Sequence, residues 1–498
     1  MRQIGIGTRL AWILAAALPL AASAPVPGLV KAARAGDHGA ARQLLAQQVD
    51  VNAAEADGTT ALHWAASTGD VEMAELLIHA GAQVNVANRY GVSPLSLAAG
   101  HGSAPIVQAL LRGGAEVAFA DQHLADGQTV LMLSARSGSV EAVQALVEHG
   151  GAVNAAESRT GTTALMWAAA ADQPSVVRAL LKAGASINAR SALPEFPHTP
   201  PAVIGDPLEP DESYVGQTPL PKGGWTAVMY AARQNALAAA EALAEGGADL
   251  NATDPDGTSA LEIAIINGHF DLAALLVDKG ADPNLPDRAG MTPLYAAVDM
   301  HTLAETFGRP DLPRPVIEAS IGAIRNLVAH GADPNVRLKT KVLKRVYNPG
   351  DPKLGEGATA FMRAARGADP VVMRMLLAAG ADPTLVQKNQ NTPIILAAGV
   401  HVKSGDNNPL RGTEASVIEA IQICLDRGLD VNAANGTKET AIFAAIGSPE
   451  VIRFLVNRGA RLDVKNRRGQ TPLEAALQGH DPSDPSVAML RELAGSAR

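Results

Sequence analysis

Cysteine is almost absent: Cys424 is the single one in 498 residues. No intrachain disulfide can form, and no cysteine-based zinc or iron-sulfur site can be assembled. Charge is sparse as well, at 18% of residues, and there is no basic excess, because 41 Lys and Arg face 50 Asp and Glu for a formal net charge of −9. General binding to nucleic acid or to an anionic membrane surface needs a basic footprint, so neither is expected. Several chemical signatures are also missing. There is no HExxH, GxxxxGK[ST], GxSxG or CxxCH, and GIGTRL at Gly5 is a chance match inside an N-terminal address. No cofactor or metal is expected. What is present is apolar material, 47% of the chain, enough to fold and spread over more residues than one ordinary core holds.

Arg2 and Arg9 precede an apolar run at residues 10–20, followed by the small residues Ala21, Ala22, Ser23 and Ala24. This is the pattern of a secretory signal. About 11 apolar residues fall well short of the roughly 20 that span a bilayer. Residues 1–24 are therefore expected to be a signal peptide cleaved after Ser23 or Ala24, with no membrane insertion afterwards. A periplasmic or secreted monomer is the expected product. The frequency of Ala, Gly, Arg and Val, with aromatics at 3%, points to a bacterial source.

Beyond the address, a Thr or Ser opening a small apolar run recurs at Thr60, Ser93, Thr129, Thr163, Thr226, Ser259, Thr292, Thr359, Thr392, Thr440 and Thr471. Most steps are close to 33 residues, and each of the three long ones holds one repeat plus inserted sequence. The grammar of a unit has a reason at each position. Thr caps a helix start through its hydroxyl, and the following Pro has no N–H to leave unpaired. Alanine pairs such as Ala65 and Ala66 keep the first helix thin. Leucine pairs such as Leu76 and Leu77 give the second helix its apolar face, and glycines such as Gly81 and Gly380 suit the left-handed residue that closes it. A unit of this size cannot bury its own face and must stack on its neighbours.

The segment TALHWAASTGDVEMAELLIHAGAQVNVANRYGVSPL, residues 60–95, resembles the ankyrin repeat, and the same pattern extends over nearly the whole remaining chain. The resemblance implies an all-α solenoid of about twelve helix-turn-helix units joined by short hairpin-like turns. The tetratricopeptide repeat has a similar period but lacks the Thr-Pro openers and the Gly-Ala-Asp-x-Asn ending. The expected organisation is repeats at 27–189, a Pro-rich acidic insertion at 190–221, repeats at 222–335, a basic insertion at 336–356, and repeats at 357–498. Shorter insertions fall at about 301–315 and 400–413, between the two helices of their units.

The resemblance also implies a protein partner held in a groove lined by the residues after the alanine pair and by the turn tips. Those positions hold His101, Arg136, Arg233, Asn267, Asp299 and Arg366, with Tyr90 and Trp225 at tips. Arg and aromatic residues anchor interfaces, and the planar fork of Arg suits carboxylates. Arg136, Arg233 and Arg366 occupy equivalent slots in three units, which suits an extended acidic partner. The basic insertion offers a second possibility, an anionic small molecule or polymer bound by Arg337, Lys339, Lys341, Lys344 and Arg345, with apolar residues interleaved as on an extended ribbon. A third is an enzyme site near His301. Asp299 and His301, two apart on a helix, point away from each other, so no catalysis is expected there. His63 is read as a structural histidine between neighbouring turns and Cys424 as a small core residue.

Overall fold

The computed structural model describes residues 26–193, 223–302, 314–340, 353–400, 413–479 and 481–496. They divide into two compact units, one of residues 26–193 with 223–249 and the other from 250 onward. Both are built from antiparallel helix pairs, and among the described residues there is no β-strand, only isolated bridges such as Ala54 with Thr60.

One pair of the first unit shows how the sequence makes the element. The Thr60 hydroxyl accepts from the backbone N–H of His63 and starts the helix Ala61–Thr68. Asp70 then caps Val71–His79 by accepting from Met73. Gly81 closes that second helix at φ +88°, a conformation that costs a residue with a Cβ. Ala61, Ala65, Ala66, Met73, Ala74 and Leu77 are fully buried, so the thin first helix and the bulky second helix share one core with their neighbours. The same unit repeats through Pro94–His101 with Ala104–Arg112, Val130–Ser137 with Val140–Glu148, Ala164–Ala170 with Pro174–Lys182, and Ala227–Gln234 with Leu237–Glu245.

Repeats are stitched at two levels. An asparagine near the end of most repeats bonds the next: Asn85 donates to the Gly114 carbonyl at 2.9 Å and accepts from Glu116 N–H at 2.8 Å. Asn154 does the same with Gly184 and Ser186. In the second unit Asn284, Asn335 and Asn432 repeat it. The turn tips form the other ladder, with Arg89 N–H on the Asp57 carbonyl in the first unit and Arg288 N–H on that of Asp256 in the second. Neither ladder loses register across inserted sequence. Asn188 accepts from Asp249 N–H at 2.9 Å, although 61 positions separate them. On either side of residues 194–222, Ser191 N–H donates to the Trp225 carbonyl, and Leu338 N–H meets the Ala358 carbonyl on either side of 341–352. An uninterrupted tip closes in the same way, with Asn88 N–H on the Val92 carbonyl.

One tip departs from the hairpin pattern. The step from Ser93 to Thr129 is three residues longer than the basic period, and here the chain forms an extra helix, Val117–His123, with Val117 and Ala120 buried. Asp121 accepts from Val130 N–H at 2.7 Å, and the tip ladder continues through Ser158 N–H on the Asp126 carbonyl.

Candidate functional site

A register rule governs the inner helices. The seventh residue after the opener of one repeat meets the fourth residue after the opener of the next. In the first unit this places the guanidinium of Arg34, seven residues after Pro27 at the start of Gly28–Ala35, over the Trp64 ring at 4.2 Å and that of Arg136 over Trp167 at 5.0 Å. In the second unit it pairs Asp299 with Arg363, both buried.

In the first unit, Arg136 lies half-buried in the last turn of Val130–Ser137. Burial pulls its ionisation below the usual guanidinium range. Arg233 is exposed, its guanidinium 5.3 Å from the Trp225 ring, and Tyr230 meets that ring edge-on at 5.5 Å. Burial raises the Tyr230 phenol, while Ser191 bonds it in opposition. The Trp225 Nε1 is buried with no hydrogen-bond partner. Tyr90 is 47% exposed at its tip, beneath Arg89, which donates to the phenol at 2.8 Å. His101 is an exposed residue ending Pro94–His101.

In the second unit, Asn267 is exposed and donates to the Ile263 carbonyl of its own helix at 2.7 Å. Arg366 is half-buried and donates to the Gly399 carbonyl at 2.8 Å. Arg337 turns back to the carbonyls of Gly357 at 3.4 Å and Val386 at 2.6 Å, tying neighbouring tips together. Lys339 is exposed, Leu338 before it is buried, and Lys341, Lys344 and Arg345 lie outside the described residues.

Counting from the openers alone did not single out the partners of these arginines. Arg34 bonds Glu55, whose other oxygen accepts from Trp64 Nε1 at 3.0 Å. Glu157 occupies the same tip position as Glu55, since the N–H of each bonds the carbonyl of the residue before the opener, Thr162 and Thr59 respectively. Its tip is one residue longer, however. The Glu157 side chain, 4% exposed, accepts from the hydroxyls of Thr160 at 2.5 Å and Thr162 at 2.9 Å through Oε2. Thr162 in turn accepts from Trp167 Nε1 at 3.0 Å. Glu157 Oε1 has no hydrogen-bond partner. The signal that would have found these groups is the offset from +7 to +4 between consecutive openers.

The region around His301 is a hydrogen-bonded chain. His301 Nδ1 lies 2.7 Å from Ser320 Oγ, and Nε2 lies 2.9 Å from Asp369 Oδ2. Burial pushes the Asp369 carboxyl up, but the bonds from His301 and from the backbone at Val372 outweigh it and hold the group below its usual value. Ser320 is 1% exposed within Arg314–Ala329, so this chain ties Pro293–Thr302, Arg314–Ala329 and the start of Pro370–Ala378 together rather than presenting a hydroxyl to solvent. Asp299 turns to Arg363 instead. Among the described residues no group of His, Cys, Asp and Glu can hold a metal ion, and no helix is long and apolar enough to cross a membrane.

Comparison with known proteins agrees with this architecture. The family model for ankyrin repeats (3 copies) matches residues 29–121, 95–191, 212–287 and 228–306, together just over half of the chain. A B-cell lymphoma 3 protein homolog of Mus musculus is 33% identical over 290 residues, 57% of this chain and 54% of that protein. The SH3 and multiple ankyrin repeat domains protein 2 of Homo sapiens is 28% identical over 224 residues, 41% of this chain and 10% of that protein. The chain thus spans about half or less of the length of these curated relatives. The crystal structure of the human ASB11 ankyrin repeat domain is similar at 26% identity and a TM-score of 0.40, covering 52% of this chain and 99% of that one. The chain belongs to the ankyrin-repeat family.

Proposed function

We propose that this protein is a non-catalytic interaction scaffold that binds another protein through the inner-helix faces of its repeats. The observation that carries this reading is the recurrence of arginine at one register position, with Arg136 and Arg233 laid on indole rings in the first unit and Arg366 fixed on the Gly399 carbonyl in the second. A guanidinium held flat on a ring keeps its N–H edge directed and loses little entropy on binding. Burial of Ser320 beneath His301 supports the non-catalytic reading. Anion binding by the basic insertion is the weaker alternative, because Arg337 already serves two carbonyls.

The charged-then-apolar stretch ending in Ala21, Ala22, Ser23 and Ala24 supports export to the periplasm or beyond. Capture from an extracytoplasmic fraction tests both parts. The parent chain is expected to retain a protein that the Arg136→Ala, Arg233→Ala, Arg366→Ala variant loses while keeping its helical circular dichroism. Equal retention by both would remove the inner-helix faces from the interaction, and a chain found with an intact N-terminus in the cytoplasm would remove export.

A further inference from the structure

The first unit contains the same three-residue arrangement twice, in two states. In the first copy, an arginine stacked on a tryptophan is closed by a carboxylate of the chain itself. Glu55 takes Arg34 on one oxygen and Trp64 Nε1 on the other. In the second copy, Arg136 stacks on Trp167 in the same register, but the glutamate at the corresponding tip turns away into the Thr160 and Thr162 hydroxyls. Among the described residues Arg136 has the indole face alone, with no hydrogen bond or ion pair reaching it.

That is an uncommon condition for a half-buried cation. A guanidinium withdrawn from water is expected to be paired, because an uncompensated charge loses hydration without a return. The depressed ionisation of Arg136 has burial as its cause, with no anion among the described residues offsetting it. The ring lies against the guanidinium, whose N–H donors have no acceptor among the described residues. The Arg34 copy shows which group closes such a fork in this protein: a carboxylate.

Resting on the scaffold reading above, we propose that Arg136, stacked on Trp167, is the docking point for a Glu or Asp carboxylate from an extended acidic segment of the partner protein. Two features favour a side-chain carboxylate as the occupant. The internal precedent is a glutamate, and the fork of Arg suits two parallel bonds to carboxylate oxygens. Glu157 is engaged elsewhere, with Oε2 on two threonine hydroxyls and Oε1 facing Arg159 Nε at 3.8 Å.

The test uses the full chain and two fluorescein-labelled ten-residue peptides, one alternating Glu with Ser and one alternating Gln with Ser, read by anisotropy at low salt. The glutamate peptide is expected to bind at least about ten-fold more tightly than the glutamine peptide. Arg136→Gln and the charge-conserving Arg136→Lys should each weaken it by about ten-fold or more, since Lys loses both the fork and the stack. Arg34→Gln should leave it unchanged. Circular dichroism identifies folded variants, and Arg136→Lys keeps the test decisive where Arg136→Gln does not fold. The proposal is overturned if the two peptides bind alike, if neither binds, or if folded Arg136→Lys binds like the parent. The partner-capture assay separates the two readings. A partner retained equally by the parent and Arg136→Lys sinks the carboxylate site and leaves the scaffold standing, whereas Arg136-dependent peptide binding with no captured partner does the reverse.

Discussion

Asp299 and Arg363 stand 64 positions apart in sequence and form a buried ion pair, with Arg363 Nε donating to Asp299 Oδ1 at 2.5 Å. They occupy the same register positions that stack Arg136 on Trp167 in the other unit, so one backbone geometry serves both a cation on a ring and a cation on a carboxylate.

Removing one member of this pair leaves the other charged and buried. Arg363→Met should therefore lower stability by about 3 kcal/mol or more, while the double change Asp299→Leu, Arg363→Met should recover most of that loss. Urea denaturation followed by circular dichroism measures both. Equal destabilisation by the single and double variants would mean that the arginine acts through its volume and not its charge.

His63 gives the first unit a pH-dependent seam. Its Nδ1 accepts from Thr60 N–H at 3.1 Å, which leaves Nε2 to carry the proton and donate to the Val92 carbonyl of the next tip at 3.0 Å. Burial lowers its pKa from 6.5 to about 4. A folded-state value below the unfolded one means that the stability it contributes is complete above pH 6.5 and falls as the pH drops toward 4. The loss across that window is expected to reach about 3 kcal/mol. His63→Gln should flatten this part of the stability profile, and an unchanged slope between pH 7 and pH 4.5 would assign the acid sensitivity elsewhere.

How much of this was legible in sequence depends on the range of the cause. Helix starts are local events, and Thr60, Thr163 and Thr392 cap helices as an N-cap hydroxyl should. The equivalence of Arg136, Arg233 and Arg366 is likewise a matter of counting from an opener. What each arginine touches depends on the offset between stacked repeats, which no single repeat encodes. Neither Trp167 as the seat of Arg136 nor Arg363 as the partner of Asp299 is therefore visible in the sequence. The helix Val117–His123 escaped for another reason: three extra residues converted a turn into a helix without disturbing the opener on either side. The bonds of Arg337 to the Gly357 and Val386 carbonyls, 20 and 49 positions away, are likewise contacts that only the fold creates.

Cys424 reports on the integrity of the second unit. It is fully buried in Glu414–Asp426, and burial pushes its thiol pKa up to about 12. A thiolate-dependent reagent should find essentially no reactive thiol in the native protein at pH 8, and one per chain after denaturation. Rapid native labelling would show that this helix opens on the timescale of the reaction.

Glu55 offers the complementary experiment to the loss of Arg136. Glu55→Gln removes the charge that closes the Arg34 fork but keeps an oxygen for Trp64 Nε1. If a carboxylate is what such a stacked arginine lacks, the variant acquires a second site of the Arg136 kind. The glutamate peptide should then bind with higher stoichiometry or several-fold greater avidity (roughly), and adding Arg34→Gln should abolish the gain. Peptide binding that is the same with and without Glu55→Gln would mean that stacking on Trp64 alone does not make Arg34 a receptor, and that Arg136 draws on some feature its sister copy lacks.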